Sequence, residues 1–300
     1  MSADQPAEPH SPEGLLAFTL ADRNARGRVV RLGPVLREIL SAHAYPPVLA
    51  RLLAEALTVT ALMGSLLKDD DGQLTMQAQS TEGPISLLVC DYRQGELRGY
   101  VQHDEEALAA LGPAPAIADL FGSGYLAITF DLAVSGQRYQ GIVPLEGASL
   151  AAACESYFVQ SEQVPTLIRV EVEQGEEGYV AGGLLMQHLP DGEEGRERLH
   201  VRLDHPEWQH VAIMAGSIRG AELVDQGLPL DWLVWRLFHE EREVRVLPQQ
   251  ALHRGCRCTL AHYEAILSQF PEAERAEMRN EAGEIVVDCA FCSRIFPIKV

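Results

Sequence analysis

Four cysteines near the C-terminus constrain this chain more than any other feature. They read Cys256-Arg257-Cys258 and, thirty residues later, Cys289-Ala290-Phe291-Cys292. A tetrahedral Zn²⁺ site takes four thiolates at roughly 2.3 Å, and each short pair can present two of them from one tight turn. Ile285-Val286-Val287 and Ile295-Phe296-Pro297-Ile298 have strand character and flank Cys289 to Ser293, so a zinc-knuckle hairpin is expected there. The first pair is one residue shorter than the Cys-x-x-Cys of most zinc ribbons. A lone Cys-x-x-Cys carries little. Both pairs together, in a chain of cytosolic character, point to one Zn²⁺ per chain on Cys256, Cys258, Cys289 and Cys292. His253 and His262 are the only plausible substitutes, and four thiolates already complete the tetrahedron.

Spacing leaves the role of such a site open. A four-cysteine zinc most often folds a module too small to have its own core. A thioredoxin-like redox pair needs Cys-x-x-Cys at the start of a helix in a βαβ unit, whereas Cys292 runs into a strand. A nucleic-acid-binding ribbon needs basic residues. Residues 251–300 hold six Lys/Arg against seven Asp/Glu, so no basic patch meets phosphate.

The whole chain makes the same point. Its net charge is −19, from 24 basic and 43 acidic residues, which argues against nucleic acid and anionic membrane as partners. Its 47% apolar content suffices for a sizeable core. No apolar signal segment precedes Gly14, and the longest apolar run, 52–67, is interrupted by Glu55 and too short for a bilayer. A cytoplasmic protein with reduced thiols is expected.

Along the chain, residues 1–14 read as disordered. Strands are expected at 15–20 and 28–32 around a polar turn at 22–27. Pro34 opens a helix to about 43, Tyr45-Pro46-Pro47 breaks it, and a buried helix covers 48–68. Asp69-Asp70-Asp71-Gly72 reads as a solvated turn. Period-two patterning then predicts strands at 74–79, 85–90, 97–102, 125–131 and 138–143. Gly122-Ser123-Gly124 looks like part of a dinucleotide fingerprint but leads into a strand, not a helix. Ser149 caps a helix to about 160, and strands follow at 165–173 and 179–188. Cys90 and Cys154 lack a neighbouring base or metal partner and read as inert buried thiols. Beyond a charged stretch at 190–198 the pattern is helical, at 207–218, 221–226 and 231–238. In the last, Trp232, Trp235 and Phe238 recur every three residues and read as one buried aromatic face. His200, His205 and His210 are five apart and do not read as ligands. The fold class is therefore α+β: a large N-terminal α+β domain (1–190), a helical linker (191–250) and a small C-terminal zinc-binding module with a knuckle hairpin (251–300).

Several stretches resemble one family. They include Arg26-Gly27, Tyr45-Pro46-Pro47, Gly122-Ser123-Gly124-Tyr125, Arg138-Tyr139-Gln140-Gly141-Ile142-Val143 and Ser161-Glu162-Gln163-Val164-Pro165-Thr166. Ala181-Gly182-Gly183-Leu184-Leu185 and Leu233-Val234-Trp235-Arg236-Leu237-Phe238-His239-Glu240-Glu241 add to them, and the cysteine signature is the most specific. From about Phe18 to the C-terminus the chain resembles the 33-kilodalton heat-shock protein family of redox-regulated chaperones.

That resemblance implies a non-enzyme that holds unfolded or misfolded client proteins without ATP. It implies a reduced, zinc-bound resting state and activation by hypochlorite, or by peroxide with heat. On this chain the implied disulfides are Cys256–Cys258 and Cys289–Cys292, formed with zinc release, linker unfolding and homodimerisation. Two other readings remain at this point: a constitutive zinc-folded binding protein and a thiol–disulfide oxidoreductase. The segment 188–230 departs from the family pattern, which leaves the linker boundaries open.

Overall fold

Period-two patterning between residues 14 and 188 folds into two antiparallel sheets with a helix between them. The computed structural model describes residues 13–67, 71–133, 136–189 and 204–299. One sheet contains β1 (Gly14–Leu20), β2 (Ala25–Leu32), β8 (Thr166–Gly175) and β9 (Gly178–His188). With β10 (Val244–Val246) its order is β10-β1-β2-β9-β8. The other contains β3 (Gln73–Gln79), β4 (Ile85–Arg93), β5 (Glu96–His103), β6 (Tyr125–Leu132) and β7 (Gln137–Pro144). With β11 (His253–Arg254) its order is β11-β5-β4-β3-β6-β7. Each strand expected from residue 74 to 188 forms within three residues of its expected ends, and the α+β class holds.

The apolar helix α2 (Pro47–Gly64) fills the space between the sheets. Its Leu49, Leu53, Leu57 and Leu62 share one core with Val30 and Leu185 of the first sheet and Met76, Leu88 and Leu97 of the second. Pro47 starts it at a position where a missing N–H costs nothing. It ends four residues before the expected 68, where the Ser65 hydroxyl donates to the Leu62 carbonyl. The turn expected at 22–27 is tighter. It closes at Asn24, which adopts a left-handed conformation (φ 45°), so Arg26 and Gly27 belong to β2. Residues 69 and 70 of the aspartate run and the charged stretch 190–198 lie outside the described residues. Four short helices escaped the sequence reading: α3 (Glu105–Ala109), α4 (Ile117–Phe121), α9 (Leu260–Leu267) and α10 (Glu272–Met278).

The far face of the five-stranded sheet is covered by α6 (Pro206–Gly216), α7 (Gly220–Val224) and α8 (Leu230–Phe238). Period two delivers Leu16, Phe18, Val29, Leu184 and Met186 to this face. They form a second core with Trp208, Val211, Leu223, Leu230, Leu233, Val234, Leu237 and Phe238. The backbone of the cover comes so close that a Cβ on Gly182 of β9 would lie 2.1 Å from the Leu223 carbonyl oxygen.

One expectation fails here. The aromatic face of α8 is not its buried face. Three residues turn a helix by 300°, so Trp232 and Phe238 point about 120° apart. Phe238 is buried, whereas Trp232 and Trp235 are 39% and 59% exposed. The buried stripe is Leu230, Leu233, Val234, Leu237 and Phe238, at helical rather than threefold spacing. The tryptophan this cover buries is Trp208, at 6%.

Two carboxylates clasp the cover. Glu222 accepts from Arg219 Nη2 (3.0 Å) and from Arg236 Nη2 of α8 (2.8 Å). Glu241 accepts from Arg23 Nε (2.8 Å) and lies 2.7 Å from His210 Nε2. The Arg219 side chain holds Glu222 below its ordinary pKa, against the opposing effect of burial. Burial acts to raise Glu241, but its bonds to Arg23 and His210 outweigh it and the net shift is downward. A depressed carboxylate stabilises fully above its unfolded pKa, about 4.3, and that stabilisation disappears as pH falls through the lower folded value. The cover is therefore expected to hold from pH 7 to 5 and to loosen below about pH 4. Glu222→Gln should weaken it by about 1–3 kcal/mol at neutral pH and flatten its acid dependence. Trp208 emission against pH checks this; an unchanged acid slope in the variant would contradict it.

Candidate metal centre

Both cysteine pairs are placed by short strands. β11 runs parallel to β5, with His253 N donating to Gly95 O (2.9 Å) and Gly255 N to Leu97 O (2.8 Å). A side chain on Gly255 would collide with Glu96, its Cβ 2.4 Å from the Glu96 Cβ, so glycine lets the chain pass before it turns into Cys256. The second pair caps the hairpin of β12 (Ile285–Asp288) and β13 (Ile295–Ile298). Its turn is closed by Cys289 N to Arg294 O (3.0 Å) and Ser293 N to Cys289 O (2.8 Å). Ser293 takes a left-handed conformation there, φ 53°.

These turns bring the four sulfurs together. Cys256 Sγ lies 3.2 Å from Cys258 Sγ and 3.6 Å from Cys289 Sγ, and Cys258 Sγ lies 3.4 Å from Cys292 Sγ. All four lie within 4.8 Å of one another, and no histidine or carboxylate joins the cluster among the described residues. Sulfurs at about 2.3 Å from a tetrahedral ion are about 3.8 Å apart. Opening the observed spacings by a few tenths of an ångström thus accommodates a metal ion, and four cysteine sulfurs are a donor set suited to Zn²⁺. His253 lies on β11, and the His262 ring lies tilted against Tyr263, centroids 5.5 Å apart.

As free thiols the four are not equivalent. Burial acts to raise Cys289, but the Tyr263 hydroxyl and the Phe291 and Cys292 amides bring it down to about 7. Burial pushes Cys256 and Cys258 up. Beneath the cluster a small core gathers Leu267, Ile285, Phe296 and Ile298. Cys90 and Cys154 lie fully buried in the main core, where burial raises both thiols.

The metal loops touch the six-stranded sheet. Arg257 Nη1 donates to Gln73 Oε1 (2.6 Å), and its Nη2 lies 3.7 Å from Asp91 Oδ2. Asp91 also accepts from Arg98 Nη2 (2.6 Å) and from the Thr75 hydroxyl (2.7 Å). The Arg98 guanidinium lies 4.0 Å over the Phe291 ring, which meets Tyr100 edge-on at 4.9 Å. Ser293 Oγ lies 3.1 Å from His43 Nδ1. None of Gln73, Asp91, Arg98 and Tyr100 has a sequence signal, because each meets a partner more than 160 residues away.

Comparison with known proteins agrees with this arrangement. The model of the family described as Hsp33 protein matches residues 13–299. A 33 kDa chaperonin of Caulobacter vibrioides is 39% identical over 94% of this chain and 93% of its own. One from Ectopseudomonas mendocina is 36% identical over 92% and 88%. The crystal structure of a 33 kDa chaperonin from Thermotoga maritima superposes over 96% of this chain and 95% of its own. Its TM-score is 0.76 at 21% identity.

Proposed function

The chain belongs to the Hsp33 family, chaperones rather than enzymes, and on that premise we propose that it is a redox-regulated holdase that works without ATP. The observation that carries this reading is the sulfur cluster. It ties residues 256–258 to residues 289–292 beside the main domain, and the helical cover lies between that domain and the module in sequence.

In the reduced state Cys256, Cys258, Cys289 and Cys292 hold one Zn²⁺. The bound ion keeps all four as thiolates and crosslinks the module. A thiolate, not a thiol, reacts with peroxide or hypochlorite. Cys289 and Cys292, on one turn, give up two electrons and join first; the oxidant is reduced to water, or to chloride and hydroxide. Cys256 and Cys258 close a smaller, strained ring and follow. The disulfide pairing comes from family resemblance. With its four sulfurs so paired the module has no crosslink over its small core and unfolds. The cover then loses its anchor. Its release exposes Leu230, Leu233, Val234, Leu237 and Phe238 together with Leu16, Phe18 and Val29 beneath, an apolar surface suited to unfolded chains. Homodimerisation in the oxidised state and a cytoplasmic location complete the reading. The charge of −19 sets it against nucleic acid and anionic membrane.

An aggregation assay without ATP tests it. Reduced, zinc-loaded protein is expected to leave a thermally unfolding client unprotected, and hypochlorite-treated protein to suppress light scattering. Peptide mapping should find Cys289–Cys292 and Cys256–Cys258, with Cys90 and Cys154 reduced. Equal protection before and after oxidation would instead support a constitutive zinc-folded binding protein.

A further inference from the structure

We infer that Arg257 and Phe291, two of the three residues enclosed by the cysteine pairs, seat the metal module on the six-stranded sheet, with Asp91 and Arg98 as their receptor. This rests on the metal reading above and assigns a positioning role to four residues outside the sulfur set.

Neither Arg257 nor Phe291 offers a ligand atom, yet each is fixed by the sulfurs on either side of it. Both side chains point to one place. The receptor spans three adjacent strands: Gln73 and Thr75 on β3, Asp91 on β4, Arg98 and Tyr100 on β5. Strand register sets Asp91 opposite both Thr75 and Arg98, so all three meet on one face. Asp91 is 3% exposed and its carboxylate is shared by both arginines. Arg98 has two attachments at once. Its Nε and Nη2 hold Asp91 at 2.7 and 2.6 Å, while its flat face covers the Phe291 ring at 4.0 Å. A guanidinium over an aromatic ring, pre-oriented by a carboxylate, is a strong form of this contact. The first metal loop thus reaches Asp91 through Arg257, and the second reaches Arg98 through Phe291. Each contact needs its cysteine pair in place, so the receptor senses both pairs together.

Docking and metal retention are then two linked equilibria. A docked module shields its sulfurs from a competing chelator, and an undocked one does not. Weakening the receptor should speed metal loss without altering the ligands.

The test uses the full reduced chain loaded with zinc, and zinc content is measured first. Release to excess chromogenic chelator is then followed for Phe291→Leu, Phe291→Trp, Arg98→Lys and the Phe291→Leu/Arg98→Lys double variant. Lysine keeps a charge for Asp91 but lacks the flat face. Phe291→Leu and Arg98→Lys are each expected to speed release about three- to tenfold. The double variant should be no faster than the faster single, since both remove one contact. Phe291→Trp should stay within about twofold of the parent, because tryptophan serves this contact best. Hydrogen exchange gives the second readout. The His253 and Gly255 amides, bonded to β5, should exchange faster in Phe291→Leu, while the Cys289 amide, bonded within the hairpin, should not. Parental release rates and exchange overturn the inference. So do additive effects, or a Cys289 amide that loosens together with His253. Absence of zinc from the parent protein would sink the metal reading instead.

Discussion

A chain carrying Cys256→Ser together with Cys258→Ser is expected to retain no zinc after desalting and to lose the fold of its C-terminal module, while both sheets around α2 persist. The module's own core is five buried residues, one of them Cys289 itself. That is far too little apolar area to order nearly fifty residues without a crosslink. Zinc on four thiolates contributes on the order of 10–16 kcal/mol of folding free energy. That equals or exceeds the net stability of a whole domain, about 5–15 kcal/mol. Two remaining sulfurs leave half the tetrahedron empty, and neither His253 nor His262 belongs to the cluster. Metal analysis checks the first part. Amide spectra check the second, through loss of dispersed signals from 256–298 and from the released cover at 206–238, while those of the two sheets remain. Full zinc retention by the double variant would refute the ligand assignment.

Arg31→Met is expected to free the helical cover while zinc stays bound. Arg31 is fully buried on β2, facing the cover. Its Nε donates to Leu223 O (2.8 Å), its Nη2 to Glu222 O (3.0 Å) and its Nη1 to Leu228 O (2.5 Å). One guanidinium thereby satisfies three carbonyls where α7 ends, at the place where Gly182 admits the Leu223 backbone. Burial lowers the Arg31 pKa to about 10, so the group remains charged at neutral pH. Methionine fills much of the volume but leaves those carbonyls facing an apolar wall. Each stranded group costs about 1–3 kcal/mol, so the loss is on the order of 4 kcal/mol. Docking of three short helices is not expected to survive that, because each is marginal alone. Trp208 emission should shift to the red and protease should cut between 204 and 250 first. The reduced protein should partly suppress client aggregation. Arg31→Lys, which reaches fewer of the carbonyls, should fall between. If the methionine variant keeps the parental Trp208 spectrum and a protease-resistant cover, the cover is not held in this way.

These two variants also mark what the sequence made legible. The cysteine pairs and the period-two strands are local patterns, and the structure follows them closely. The α+β class could be read from them because alternation and helical periodicity are set by neighbours a few residues apart. The helices α3 and α4 are five residues long, too short for periodicity to register, though Asp104 caps α3 through the Ala107 amide. Trp232, Trp235 and Phe238 recur every three residues, whereas the stripe that packs is set by the 3.6-residue turn. Arg31 falls within the strand expected at 28–32. Nothing near it in sequence announces carbonyls 191 to 197 positions away. The same holds for Asp91 and Arg98 against Arg257 and Phe291.

The short strands β10 and β11 have a consequence beyond positioning. One lies beside β1 and the other beside β5, each the outermost strand of its sheet, and a bridge from Leu15 to Gln250 joins the stretch between them to β1. Residues 244–254 therefore act as an edge guard for both sheets at once. While they are in place, the Leu15 N–H and C=O and the carbonyls of Ala17 and Gly95 are occupied. If the segment peels away, two sheets acquire bare edges in the same event. Unpaired edges are templates for strand addition and self-association. The stretch that follows the helical cover thus also shields the β1 and β5 edges from pairing with other chains.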